Sequence, residues 1–102
     1  MAIKNSNVTT VATSIYQSSG SSATTTIHFC NYSASAVTAN IWVVQSGFTA
    51  NNINMIYSNI SITGTNTVVI DTEKLILATG DAVYANASAN LSVGATVSYI
   101  GI

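Results

Sequence analysis

From Thr24 to Val44 the chain reads TTTIHFCNYSASAVTANIWVV, with apolar residues at every second position on either side of a polar break at Asn31–Ser35. A period of two belongs to extended chain, whose successive side chains point to opposite faces of a pleat; a helix would space them at three and four. Ile27 and Phe29 therefore share one face of a first strand. Val37, Ala39, Ile41 and Val43 share one face of a second. Read as a neighbouring pair joined by a turn, these strands supply half of a core. Their other faces carry His28 and Cys30 on the first strand and Asn40, Trp42 and Val44 on the second. That is too apolar for ordinary wetted surface, and it points to a partner.

The rest of the chain continues in the same style. Residues 1–12 have no stable pattern and are expected to form an arm or a short edge strand, ahead of a single sandwich domain over residues 13–102. Thr13–Gln17 is a short strand with Ile15 inward, and Gly20 among serines makes the following turn. Residues 45–54, QSGFTANNIN, lack alternation and read as a loop, in which Phe48 has to pack down or meet a partner. Met55–Ile62 resumes alternation with Ile56, Ile60 and Ile62, but the phase between Ile56 and Ile60 is kept only if Ser58 also faces in, which leaves room for a bulge. Gly64 and Gly80 mark turns, and Val68 with Ile70 point inward. Residues 72–77 are too few for a stable helix and are taken as strand entry. Val83, Ala85 and Ala87 alternate with Tyr84 and Asn86, and Val93, Ala95, Val97 and Tyr99 share a face. Seven or eight short strands at spacings near ten residues predict an all-β, antiparallel sandwich of immunoglobulin-like or jelly-roll type.

Composition decides which functions are open to such a sandwich. The 102 residues make one domain, with an expected radius of gyration of about 13 Å. Leu, Glu, Lys and Arg are scarce and there is no Pro, so turns fall to Gly, Asn, Ser and Asp. Only 5% of residues are charged, with two Lys, no Arg and a net charge of -1. Two lysines far apart cannot neutralise a run of phosphates, so neither nucleic acid nor an anionic membrane is an expected partner. Weak self-repulsion instead favours association with copies of the same chain. One cysteine gives no internal disulfide. No apolar run suggests a signal-peptide core or a membrane span, so synthesis in a cytoplasm without cleaved export is expected. The Asn-X-Ser/Thr triplets at Asn7, Asn31, Asn59, Asn86 and Asn90 are then read as unglycosylated.

Candidate chemistry is thin. His28 and Cys30 point the same way but lack further His or Cys partners for a metal, and same-strand neighbours rarely converge as nucleophile and base. Asp71, Glu73 and Asp81 could suggest paired carboxylates or calcium, yet Lys74 beside Glu73 reads as a solvated corner and Asp81 after Gly80 as turn chemistry. No phosphate loop, nucleophile elbow or dinucleotide fingerprint occurs. The reading is a non-enzyme without cofactor. The remaining candidates form an interface set: Trp42, Val44, Tyr84, Phe48 and His28. Burying one Trp removes about 200 Å² from water, worth at most roughly 5 kcal/mol before association costs. A sugar-binding platform on Trp42, or Trp42 filling its own core, are the competing readings.

TSIYQ with its Ser/Gly turn, the FCN strand end, IWVV, DTEKLILATGDAVYANAS and the closing VSYIGI together resemble small virion structural proteins of tailed bacteriophages, of the kind found with marine and cyanobacterial hosts. The resemblance covers most of the chain from Thr13 onward and carries no functional residues. It implies a noncatalytic virion component made in the host cytoplasm. The expected form is a head decoration (cement) protein bound to the major capsid protein as a trimer or other ring. A tail, neck, baseplate or fibre component, with a receptor- or glycan-binding role, is the alternative.

Overall fold

The computed structural model describes residues 2–70 and 75–102. These residues form nine strands and no helix: β1 Ala2–Val8, β2 Thr13–Gln17, β3 Ser22–Asn31, β4 Val37–Val44, β5 Met55–Ile62, β6 Thr67–Ile70, β7 Ile76–Leu77, β8 Ala82–Ala87 and β9 Val93–Gly101. The first sheet runs β1-β9-β3-β6, with β7 also against β3, and the second runs β2-β8-β4-β5. Every pairing is antiparallel. The radius of gyration, 12.8 Å, is that of one globular domain of this length.

The pairings are nested. β4 pairs with β5, β3 with β6 and β7, β2 with β8, and β1 with β9. The chain is thus one long hairpin whose tip is β4–β5, rolled so that β9 also meets β3 and β8 also meets β4. That is a jelly roll with β7 as a short supplement. An immunoglobulin-type sandwich would instead place the first two strands side by side in one sheet. The strand count is nine, above the seven or eight expected, because residues 2–8 form a full edge strand and Ile76–Leu77 a separate short one.

One expectation is overturned by this topology. β3 and β4 are not a neighbouring pair; they lie in opposite sheets, and the Asn31–Ser35 segment crosses between them. Alternation says which side chains face inward and is silent on which strand supplies the hydrogen bonds. The inward sets themselves are as read. Ile27, Phe29, Val37, Ala39 and Ile41 join Val83, Ala85, Ala87, Val93, Ala95 and Val97 in a single buried cluster, against which Val43 and Tyr99 also pack. In β5 the bulge is present, with Asn59 at φ 55°, but it leaves Ile56 exposed and puts Tyr57, Ile60 and Ile62 against the core.

The crossing is held by Asn31, which is fully buried. Its Nδ2 donates to the carbonyls of Ser35 (2.8 Å), Ile62 (3.0 Å) and Thr63 (3.3 Å), and its Oδ1 accepts from the Ser33 N–H (3.0 Å) and hydroxyl (2.7 Å). One side chain thereby ties the end of β3, the crossing loop and the end of β5. Gly64 sits where this turn meets the crossing: a Cβ there would collide with the carbonyl group of Ala34. Only glycine fits so close a backbone approach.

Candidate functional site

The jelly roll has two outer faces, and the candidate residues divide between them. On the second sheet, register sets Ser14, Tyr84, Trp42 and Met55 in one row and Gln17, Ala82 and Val44 in the next. Trp42 and Val44 do point away from the inter-sheet core, as their phase requires. They are nevertheless only 7% and 2% exposed. The covering atoms belong to the chain itself, and residues 45–54 leave β4 just past Val44 and return at Met55, the partner of Trp42. Asp81 anchors the start of that loop: its Oδ1 accepts from the Ser46 N–H (3.0 Å) and its Oδ2 from the Ala78 N–H (3.0 Å). The turn role expected of Asp81 is thereby filled.

The expectation of Trp42 and Val44 as surface anchors is therefore corrected: both are sealed inside the subunit. The Trp42 Nε1–H is buried and finds no acceptor among the described residues. Tyr84, beside it, is half-buried. Phe48 has not packed down and is 65% exposed at the surface of the same loop. A polar patch completes this face, where Asn40 Nδ2 donates to Asn86 Oδ1 (2.8 Å) and Asn40 Oδ1 accepts the Asn59 N–H (2.8 Å).

The first sheet presents a different surface. Its outward rows are Asn7–Gly94–Cys30–Thr67, then Asn5–Thr96–His28–Val69, then Ile3–Ser98–Thr26, then Ile100–Ala23–Ile76. Among the described residues this face carries no Asp, Glu, Lys or Arg. Ile3 (62%), Ile76 (69%) and Ile100 (41%) stand exposed toward one end, with Ile102 close by, and Val69 is exposed in the middle. His28 is half-buried between Thr96 and Val69, and Cys30 is an exposed free thiol. No group of three potential metal ligands occurs among the described residues. Asp71, Glu73 and Lys74, the solvated corner of the sequence reading, lie outside them.

Of the five candidates, then, Trp42, Val44 and Tyr84 share one face, Phe48 lies in the loop at its end, and His28 is on the other sheet. Sequence reasoning missed Ile3, Ile76 and Ile100. A signal existed only for Ile100, which alternates with the inward Tyr99. Ile3 and Ile76 sit in segments with too little pattern to assign a phase, and only pairing with β9 and β3 places them.

By architecture the molecule is a jelly-roll sandwich, with one sheet face lacking charge among its described residues and the other carrying the buried Trp42 and Val44. Neither a family model, nor a curated protein, nor a solved structure matches this chain.

Proposed function

We propose that the chain is a noncatalytic structural protein of a phage particle that assembles through the outer face of its first sheet, most simply as a trimeric decoration protein on the capsid lattice. The observation that carries the reading is that face: exposed Ile3, Ile76, Ile100 and Val69 in a field of Thr, Ser, Asn and Gly, without a charge among its described residues. Isoleucines gathered on one sheet face are the mark of a contact surface. A whole Ile side chain contributes about 2 kcal/mol on burial, and Ile3, Ile76, Ile100 and Ile102 are 62%, 69%, 41% and 67% exposed, so together they supply about 5 kcal/mol. Association itself costs roughly 4–15 kcal/mol, so these side chains sustain assembly only if the polar rows between them also fit a partner. A symmetric oligomer meets that condition by self-complementarity.

The sequence resemblance to small phage virion proteins supplies the particle. The jelly roll is consistent with it but selects nothing alone, since capsid proteins, lectins and cupins share the architecture. Sedimentation velocity tests the assembly. The wild type is expected to run as a trimer or larger ring, and Ile100→Lys to run as a monomer with an unchanged far-ultraviolet spectrum. A wild type that stays monomeric at about 100 μM, well above the micromolar range of stable interfaces, overturns the reading. Within a particle, a coat of copies over the head lattice fits decoration, whereas a few copies per particle assign the protein to the tail, neck, baseplate or fibre.

A further inference from the structure

His28, the one histidine of the chain, stands on an interior strand of the uncharged face. Thr96 of β9 lies on one side of it and Val69 of β6 on the other. Neighbouring strands are about 4.8 Å apart, so β1 and β6, the edges of this sheet, are separated by about 14 Å. The exposed Ile3 belongs to one edge and the exposed Val69 to the other. A surface wide enough to cover both passes over the imidazole.

Among the described residues nothing around the ring answers a charge. Thr96, Val69 and Thr26 do not titrate, and Cys30, two residues along the same strand, is a thiol that stays neutral in acid. Lys4, the charged residue of β1, has the inward phase, opposite the buried Val97. The ring makes no hydrogen bond to any described residue, and the neighbouring Thr96 hydroxyl donates to Asn5 Oδ1 instead (2.9 Å). A proton taken up by His28 therefore depends on water for its solvation. Covered by another molecule, the imidazolium loses that water and gains no carboxylate, and an unpaired buried charge is among the costliest groups to desolvate. A second copy of the chain brings the same uncharged rows and so supplies no counter-ion either.

We propose that His28 makes self-assembly sensitive to pH: copies of the chain associate through this face while the imidazole is neutral and separate once it is protonated. The proposal rests on the reading of this face as the assembly surface and adds its regulation. Imidazole is the side chain whose charge ordinarily changes between about pH 5 and 8. The assembly favours the neutral form and the free subunit tolerates the charged one. Association is thus complete on the alkaline side of the titration and is lost as pH falls. The limiting loss is about tenfold in association constant per subunit for each pH unit, one proton being taken up by each copy released.

The test is sedimentation equilibrium of the full chain at about pH 7.5 and about pH 5, with far-ultraviolet spectra at both. The wild type is expected to lose at least about tenfold in association constant per subunit at the lower pH, with its spectrum unchanged. His28→Gln, which stays neutral, associates equally at both. His28→Lys, charged throughout, is monomeric at both with the wild-type spectrum. An oligomer of the same strength at the two pH values overturns the switch and leaves the assembly reading standing. Acid dissociation that persists in His28→Gln, or that comes with loss of the folded spectrum, overturns it as well. A wild type that is monomeric even at about pH 7.5 overturns the assembly reading and the switch together.

Discussion

An indole N–H with no acceptor among the described residues, in a side chain only 7% exposed, makes Trp42 the most informative residue of the second sheet. The indole body contributes through area removed from water, while its donor stays unmet and detracts by about 1–3 kcal/mol. The two effects separate by substitution. Trp42→Phe, which keeps most of the volume and deletes the donor, is expected to cost at most about 1 kcal/mol; Trp42→Ala, which leaves a cavity, costs about 3–5 kcal/mol. Urea denaturation measures both, and an alanine variant as stable as the wild type would show the residue to be peripheral. Asn31 is the opposite case. It spends both polar atoms inside the fold, and its place in an Asn-Tyr-Ser triplet is structural: a fully buried amide cannot carry a glycan. The phase of Trp42 is readable in the sequence. Its burial is not, because alternation sets which way a side chain points and says nothing of what comes to cover it.

At the scale of elements, the strands are local and their neighbours are not. Alternation in β3, β4, β8 and β9 identifies the inward side chains correctly, whereas β1 and β7 are too irregular to assign, and the β5 bulge shifts Ile56 outward. The β5–β6 turn shows how elements are fitted together. Thr65 adopts φ 58° and its N–H donates to the carbonyl of Ser33 (2.9 Å), so the turn is pressed onto the β3–β4 crossing. Gly64→Ala would drive a methyl into the Ala34 carbonyl, a backbone atom that cannot swing aside. A loss of about 1–3 kcal/mol is expected, lowering the melting temperature by roughly 4–8 °C per kcal/mol in a domain of this size. Gly94→Ala in β9 meets nothing within 4 Å and serves as the control. Its melting temperature should stay near that of the wild type, and equal effects from the two substitutions would refute the close-approach argument.

The whole molecule is a rolled hairpin, and rolling decides both how it forms and what it exposes. Ala2 pairs with Tyr99 and Thr13 with Ala85, so its sheets join residues nearly a chain length apart. Such topologies fold in roughly milliseconds to seconds. With no Pro in the chain, no X–Pro isomerisation lasting tens of seconds intervenes. Stopped-flow refolding is expected to show no phase of that duration; a slow phase accelerated by a prolyl isomerase would contradict it.

The sequence by itself determined that this chain is all-β, where most strands and turns fall, which side chains of the regular strands face inward, and that the surface is poor in charge. These follow from properties carried residue by residue: side-chain period, turn chemistry and ionisation. Only the tertiary structure decided which strands pair, that β3 and β4 belong to different sheets, that Trp42 is sealed, and that Ile3, Ile76 and Ile100 share one face. A backbone N–H is the same donor in every residue but proline, so nothing local specifies its partner; that choice is made when the entire hairpin closes on a common core.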